Sequence, residues 1–295
     1  MTRAAPAQRR DPPTVALPDG TRVPALGLGT WRYGESARSR AAERRALRLA
    51  VELGYRLFDT AEMYGEGGAE SVLGDALAEA VAAGDVRRDE LVVVSKVYPH
   101  NASREGTVAA CERSLRRLKL DHVDLYLLHW RGRHPLAHTV EAFETLRARG
   151  LVRHWGVSNF DTADMAELWQ LPGGERCAAN QVYLSLSQRG IDFDLVPWQR
   201  ERRVPFMAYC PIDQGTLARA TSLQPLARRL GATPAQLALA WLLARGDTIA
   251  IPKAVREPHL RENIAAADLV LDDAARAELD RLFPPPARKQ PLAMT

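Results

Sequence analysis

Three apolar runs end on residues that can move or hold a proton. Tyr55 to Phe58 stops at Asp59, Leu91 to Ser95 at Lys96, and Leu125 to Leu128 at His129. Tyr64 stands five residues beyond Asp59 in the stretch FDTAEMYGEGGAE, just before the chain breaks into glycines. An acid, an ammonium, an imidazole and a phenol that converge in space form a proton-transfer set. A metal site fits poorly, because one carboxylate and one histidine would share it with a repelling ammonium. A Schiff-base lysine also fits poorly, since a neighbouring carboxylate stabilises the charged, non-nucleophilic amine.

The arrangement that remains centres on the phenol. Its ordinary pKa is about 10. An ammonium about 4 Å away favours the phenolate by about 4 kcal/mol at an effective dielectric near 20. A fall of about 2 units needs only about 2.7 kcal/mol. Lys96 is therefore expected to make Tyr64 a proton donor useful near neutrality. Asp59 would hold the lysine in place and charged, and neutral His129 would hydrogen-bond a substrate oxygen. Such a set suits an oxygen on which charge is developing, as in a carbonyl that receives hydride. Each residue alone also fits the plainer account of a polar group satisfied at a strand end. Lysine adds weight to the joint pattern, because only Lys96, Lys119, Lys253 and Lys289 are lysines among 40 basic residues.

The elements that must position these groups alternate. Strand-like runs fall at 25–31, 55–60, 91–96, 124–130, 152–159, 178–184, 204–212 and 248–253. Helical patterns lie near 42–53, 68–83, 103–119, 138–149, 161–169, 194–203, 233–245 and 257–267, and a last one spans 272–283. Uninterrupted alternation implies a parallel sheet covered by helices, and eight units in this length match a closed (β/α)₈ (TIM) barrel. In such barrels the chemistry sits at the C-terminal ends of the strands, where Asp59, Lys96 and His129 fall on consecutive neighbours. Ahead of the barrel, TVAL and RVPAL flank Pro18-Asp19-Gly20, which predicts a hairpin. The rival is an open doubly-wound sheet. Its GxGxxG fingerprint is missing, since Gly27-Leu28-Gly29 continues into Thr30-Trp31-Arg32, so no Rossmann domain is expected. A tail over 1–13 and one barrel domain over 14–295 complete the organisation.

Composition narrows the function classes. The chain of 295 residues has 40 cations and 36 anions, a net charge of +4 spread along its length. No cluster of basic residues marks a nucleic-acid footprint. No apolar stretch nears the roughly 20 residues that span a bilayer, and the basic start lacks the apolar core of a signal peptide. Cys111, Cys177 and Cys210 form no metal or redox spacing, so a cytoplasmic chain without disulfides is expected, with Cys111 and Cys177 packed as small apolar groups. His134 and His138 have the spacing of a zinc pair, but Pro135 breaks the helix that would align them, so no metal is expected.

Taken together, GLGTW (27–31), DTAEMYG (59–65), SK (95–96), LLHW (127–130), GVSNF (156–160), NQVYLSL (180–186), AYCP (208–211) and IPK…ENI (251–264) resemble the aldo-keto reductases over nearly the whole chain. The resemblance is strongest to bacterial members that reduce small aldehydes and ketones, including methylglyoxal and diketo sugar acids. It implies a barrel that binds NADPH, with NADH second, and Tyr64 as general acid and base supported by Lys96, Asp59 and His129. It also implies that Ser158, Asn159 and Gln181 hold the nicotinamide carboxamide and that Tyr209 stacks on the ring. Gly29, Thr30 and Trp31 would line the same cleft, and Cys210, Pro211, Ile212, Gln214 and Gly215 the pyrophosphate. Lys253, Ala254, Arg256, His259, Glu262 and Asn263 would meet the adenosine end. Trp31, Tyr98, His129 and Trp130 would border the substrate.

Two departures bear on the cofactor. Ala254 replaces a frequent serine, and His259 stands where an arginine usually clamps the 2′-phosphate. Losing one charge-assisted bond costs about 1.5–3 kcal/mol, so the preference for NADPH should be narrower than is common in the family. Cys210 also stands where serine is common. The expected product is a monomeric or weakly associating reductase of small carbonyls. The alternative is a regulatory or redox-sensing subunit on the same barrel. Little chain remains after Asn263 to build a long lid, which implies an open pocket.

Overall fold

The computed structural model describes residues 12–295, so the expected tail over 1–13 lies outside the described residues up to position 11. Strands β1 (Thr14–Ala16) and β2 (Arg22–Pro24) pair antiparallel, with Val15 opposite Val23. Their turn is the Pro18-Asp19-Gly20 reverse, where Asp19 accepts from the Thr21 amide at 2.9 Å and Gly20 takes φ 90°. Eight further strands follow: β3 (Leu28–Gly29), β4 (Leu57–Asp59), β5 (Val92–Val97), β6 (Val123–Leu128), β7 (Val152–Ser158), β8 (Asn180–Tyr183), β9 (Phe206–Tyr209) and β10 (Thr248–Ala250).

These eight lie parallel in chain order. Bridges from Leu26 to Ala250 and from Gly29 to Lys253 join the first to the last and close the sheet into a barrel. No side chain larger than hydrogen fits at Gly27 in this seam, because a Cβ would lie 2.8 Å from the Leu57 carbonyl oxygen. Helices α1 (Arg40–Leu53), α2 (Gly68–Ala82), α3 (Arg104–Leu118), α4 (Leu136–Ala148), α5 (Thr162–Gln170), α6 (Leu195–Glu201), α7 (Gln224–Arg229), α8 (Pro234–Leu243), α9 (Glu257–Ala265) and α10 (Asp273–Leu282) surround it. Where the ends are sharp, polar residues satisfy the free amides of the first turn. Ser103 caps α3, while Asp161 and Thr233 form capping boxes on α5 and α8.

Two apolar layers hold the barrel. The outer layer packs helices on the sheet, with Leu47, Leu73, Leu115, Phe143 and Trp155 fully or nearly buried. The inner layer fills the barrel with Leu57, Val94, Leu125, Leu127, Met207 and Ile249, and hairpin residues Val15, Leu17 and Val23 cover it from below. Burying each such side chain contributes about 1.5–3 kcal/mol. One departure from the expected helices follows β9. Residues 213–223 fold as short 3₁₀ turns leading into α7, none of which the apolar periodicity marks.

Candidate active site

The strand register places the polar residues at one end of the barrel. Gly29 pairs with Asp59, Lys96 with Leu127, and Ser158 with Gln181. The next backbone bonds carry the chain over the rim: His129 N–H donates to Val97, and Asn159 N–H to Gln181. Asp59, Lys96, His129, Ser158 and Gln181 are therefore buried at the floor of a common mouth.

Lys96 is fully buried, and its ammonium donates to Asp59 Oδ2 at 2.8 Å, to the Thr60 carbonyl at 2.8 Å and to the Tyr64 hydroxyl at 3.2 Å. All three of its protons are thus engaged. The phenol oxygen accepts from Lys96, which leaves the phenol's own proton free to point elsewhere. Asp59 Oδ1 accepts from Gln181 Nε2 at 2.8 Å, a bond that crosses the barrel from β4 to the opposite strand β8. The four residues expected to share chemistry meet: the Tyr64 and His129 rings sit edge-on with centroids 5.6 Å apart.

The glycines after Tyr64 have a steric reason. Gly65 and Gly67 take φ 55° and 86°, and the loop presses on the turn after β3, where a Cβ on Gly68 would lie 2.4 Å from the Gly34 carbonyl oxygen. Only hydrogen fits at this crossing. The phenol is thereby held close over β5.

Protonation states follow from burial. His129 is held well below its ordinary pKa by burial and by the nearby Lys96 charge, so its ring is neutral. Its Nδ1 is buried without a partner, whereas Nε2 opens on the mouth. A stranded lone pair costs less than a stranded N–H, which puts the ring proton on Nε2, where it can serve as a donor. Burial lowers the Lys96 pKa, while the Asp59 carboxylate opposes that shift. Tyr64 differs from the sequence expectation. Burial first, and then the Asp59 charge, push its pKa well above the ordinary value. Asp59 neutralises the lysine at closer range than the phenol feels it, so the phenol keeps its proton at neutral pH.

The other expected positions fall into three groups. Near the floor, Asn159 takes a left-handed φ of 59°, donates to the His129 carbonyl at 3.1 Å and accepts from the Tyr209 hydroxyl at 2.8 Å. Thr30 Oγ1 donates to the Asp59 carbonyl at 3.0 Å, which ties β3 to β4. The loop from Cys210 through Pro211 and Ile212 to Gly215 holds Cys210, Asp213 and Gln214 at positive φ, a conformation non-glycine residues rarely adopt. Burial raises the Cys210 thiol to about 11, so it is a neutral thiol here.

At the rim, Lys253, Arg256 and His259 are exposed and form no ion pair among the described residues. Ala254 is buried, and its carbonyl accepts from Tyr33 at 2.7 Å, so its side chain is turned into the core. Glu262 accepts from Thr233 at 2.6 Å, and Asn263 is buried beside it. Around the opening, Trp31 is 36% exposed with the Arg32 guanidinium 4.7 Å from its ring. Tyr98 meets Trp130 edge-on at 5.1 Å, and Trp130 meets His129 at 4.9 Å.

Sequence reasoning missed three contributors. Glu62 ties the Tyr64 loop to the segment after β5, and its position between Asp59 and Tyr64 was the available signal. Asp213 bonds the Tyr183 hydroxyl and, at 3.0 Å, Ser187. The C-terminal segment does more than the sequence suggests: Lys289 pairs with Asp194 at 3.1 Å, Leu292 packs on the core, and Thr295 lies near Tyr209 and Cys210. The end of the chain therefore lies beside Tyr209. His134 Nε2 lies 3.1 Å from the His100 carbonyl, and among the described residues no group of three metal-ligating side chains occurs. Among them, too, no helix is long and apolar enough to cross a membrane.

A closed barrel with an Asp-Tyr-Lys-His floor defines a class of oxidoreductase. The chain belongs to the Aldo/keto reductase family, whose model matches residues 25–283. It is 46% identical over 278 residues to methylglyoxal reductase YeaE of Escherichia coli, covering 92% of this chain and 95% of that protein. It is 33% identical to a glyoxal reductase of Bacillus subtilis, covering 91% of this chain and 92% of that one. The crystal structure of an aldo-keto reductase from Klebsiella pneumoniae in complex with NADPH superposes with a TM-score of 0.91 at 47% identity, covering 97% of this chain and 100% of that one.

Proposed function

We propose that this protein reduces small aldehydes and ketones, dicarbonyls such as methylglyoxal among them, with NADPH as cofactor and Tyr64 as the proton donor. The observation that carries this reading is the Lys96 ammonium, fully buried and divided among Asp59, the Thr60 carbonyl and the Tyr64 hydroxyl. Relatives with reductase names and a neighbour crystallised with NADPH favour turnover over a regulatory subunit.

When bound, NADPH supplies hydride to the carbonyl carbon. The chain's own residues handle the oxygen. The Nε2 proton of neutral His129 holds the carbonyl oxygen in place, and the Tyr64 proton, not needed by Lys96, faces the same opening. As negative charge develops on that oxygen it becomes far more basic than the phenolate, so a phenol with a raised pKa still donates. Lys96, at 3.2 Å, stabilises the phenolate left behind. Asp59 keeps the lysine charged despite burial that favours the neutral amine. Ser158, Asn159 and Gln181 would take the carboxamide, Tyr209 the ring face, and the Cys210–Gly215 loop the pyrophosphate. Lys253, Arg256 and the free amides at the start of α9 suit a 2′-phosphate, because among the described residues no carboxylate pairs with the two exposed side chains.

Cofactor-linked absorbance with methylglyoxal, 4-nitrobenzaldehyde and simple ketones tests this directly. NADPH should support turnover of several, at higher kcat/KM than NADH. Absence of NADPH oxidation with every carbonyl offered would end the reductase reading.

A further inference from the structure

Glu62 lies between Asp59 and Tyr64 and takes no part in the chemistry above. Its side chain is only 8% exposed, although a loop carboxylate ordinarily faces water. Oε1 accepts from the Tyr98 N–H at 2.7 Å and from Asn101 Nδ2 at 3.0 Å. Oε2 faces the Arg113 guanidinium at 3.5 Å, and the Glu62 N–H donates to the Lys96 carbonyl at 3.4 Å. One residue thus ties the loop that carries Tyr64 to both ends of the segment from Lys96 to Asn101.

The aromatic contacts lead back to the same point. Tyr98, whose amide Glu62 holds, packs edge-on against Trp130 at 5.1 Å. Trp130 meets His129 at 4.9 Å, and His129 meets Tyr64 at 5.6 Å. The circuit from Glu62 through Tyr98, Trp130, His129 and Tyr64 closes two residues from its start. We infer that Glu62 is a positioning residue that holds the Tyr64 hydroxyl and the Tyr98–Trp130 wall in one frame, so that phenol and imidazole address a single carbonyl oxygen. This rests on the reductase reading. A displacement of about 1 Å in such a frame costs on the order of 100-fold in rate, whereas the fold itself has many other supports.

The test compares wild type with Glu62→Ala, Glu62→Gln, Arg113→Ala and Tyr64→Phe. The readouts are kcat, KM, NADPH dissociation constant, Tm, and the isotope effect with NADPH deuterated at the transferred position. Glu62→Ala should lower kcat by roughly 10- to 100-fold with NADPH affinity unchanged and a larger isotope effect, as hydride transfer becomes limiting. Glu62→Gln keeps an acceptor for Tyr98 and Asn101 and should recover most of kcat. Arg113→Ala should stay near wild type. Wild-type kcat in Glu62→Ala overturns the inference, as does a glutamine variant no better than alanine. Equal losses in Arg113→Ala overturn it too, since they would make the ion pair, not the pinned amide, the active feature. If Glu62→Ala does not fold, Asn101→Ala removes one of the two pinned donors, and an unchanged kcat and isotope effect there count against it. Turnover in wild type, lost in Tyr64→Phe but kept in Glu62→Ala, defeats this inference alone. No turnover in wild type defeats the reductase reading itself.

Discussion

At the barrel floor Lys96 is fully buried and spends every ammonium proton on a protein partner, whereas at the rim Lys253 is exposed, with its ammonium 5.8 Å from the Tyr33 ring. Both belong to the four lysines of a chain whose basic residues are otherwise arginine. The fold completes the floor before any ligand arrives, and removing one partner there strands a buried charge at a cost of about 3–5 kcal/mol. The rim keeps its charges in water, where a lost contact costs roughly 0–1 kcal/mol. Changes at the floor should therefore remove chemistry, and changes at the rim should only adjust which cofactor is preferred.

The largest expected effect is at the floor. Tyr64→Phe should cut kcat by about 10²- to 10⁴-fold, the usual worth of a positioned general acid, while NADPH still binds in a fluorescence titration. A variant that kept a tenth of wild-type turnover would erase the contrast between the two regions.

The pH dependence comes next. The Tyr64 pKa is raised, so its donor form persists as pH climbs past about 10, and the His129 pKa is lowered, so its ring stays neutral as pH falls past about 6.5. The rate of carbonyl reduction should be level between those limits. A decline centred near pH 8 would restore the picture of a phenol acidified by its ammonium. The same burial has a stability consequence. A histidine whose folded pKa is depressed stabilises the fold above about pH 6.5, and that contribution is lost as pH falls, since the unfolded chain then takes up the proton. In His129→Gln the fall of Tm below that pH should be shallower than in wild type.

The smallest effect belongs to the rim. His259→Arg should widen the kcat/KM preference for NADPH over NADH by roughly fivefold, one charge-assisted bond discounted for exposure. No change in that ratio would remove His259 from the phosphate end.

The barrel was legible because each strand is a short apolar run bounded by turn residues, and the floor because three of those runs stop on ionisable side chains. The segment after β9 was not. Residues 213–223 turn in 3₁₀ steps too short to show a helical period, so TLARATSLQPLARR reads as unstructured. Glu62 escaped for a different reason: its partners are a backbone amide and Asn101, some 36 to 39 positions later, and pairing between loops leaves no periodic mark. The sign of the Tyr64 shift was misjudged because residue types give the neighbours of a phenol but not how deeply it is buried. Likewise, nothing in a proline-rich ending announces that Thr295 will come to rest against Tyr209.

The hairpin under the barrel has a consequence for traffic. With Val15, Leu17 and Val23 stoppering the far end, the proposed reading leaves reactant and alcohol the same doorway, bordered by Trp31, Tyr98 and Trp130. A flat apolar compound lodged between those indoles would then obstruct arrival and departure alike, and it would inhibit without ever touching the proton donor.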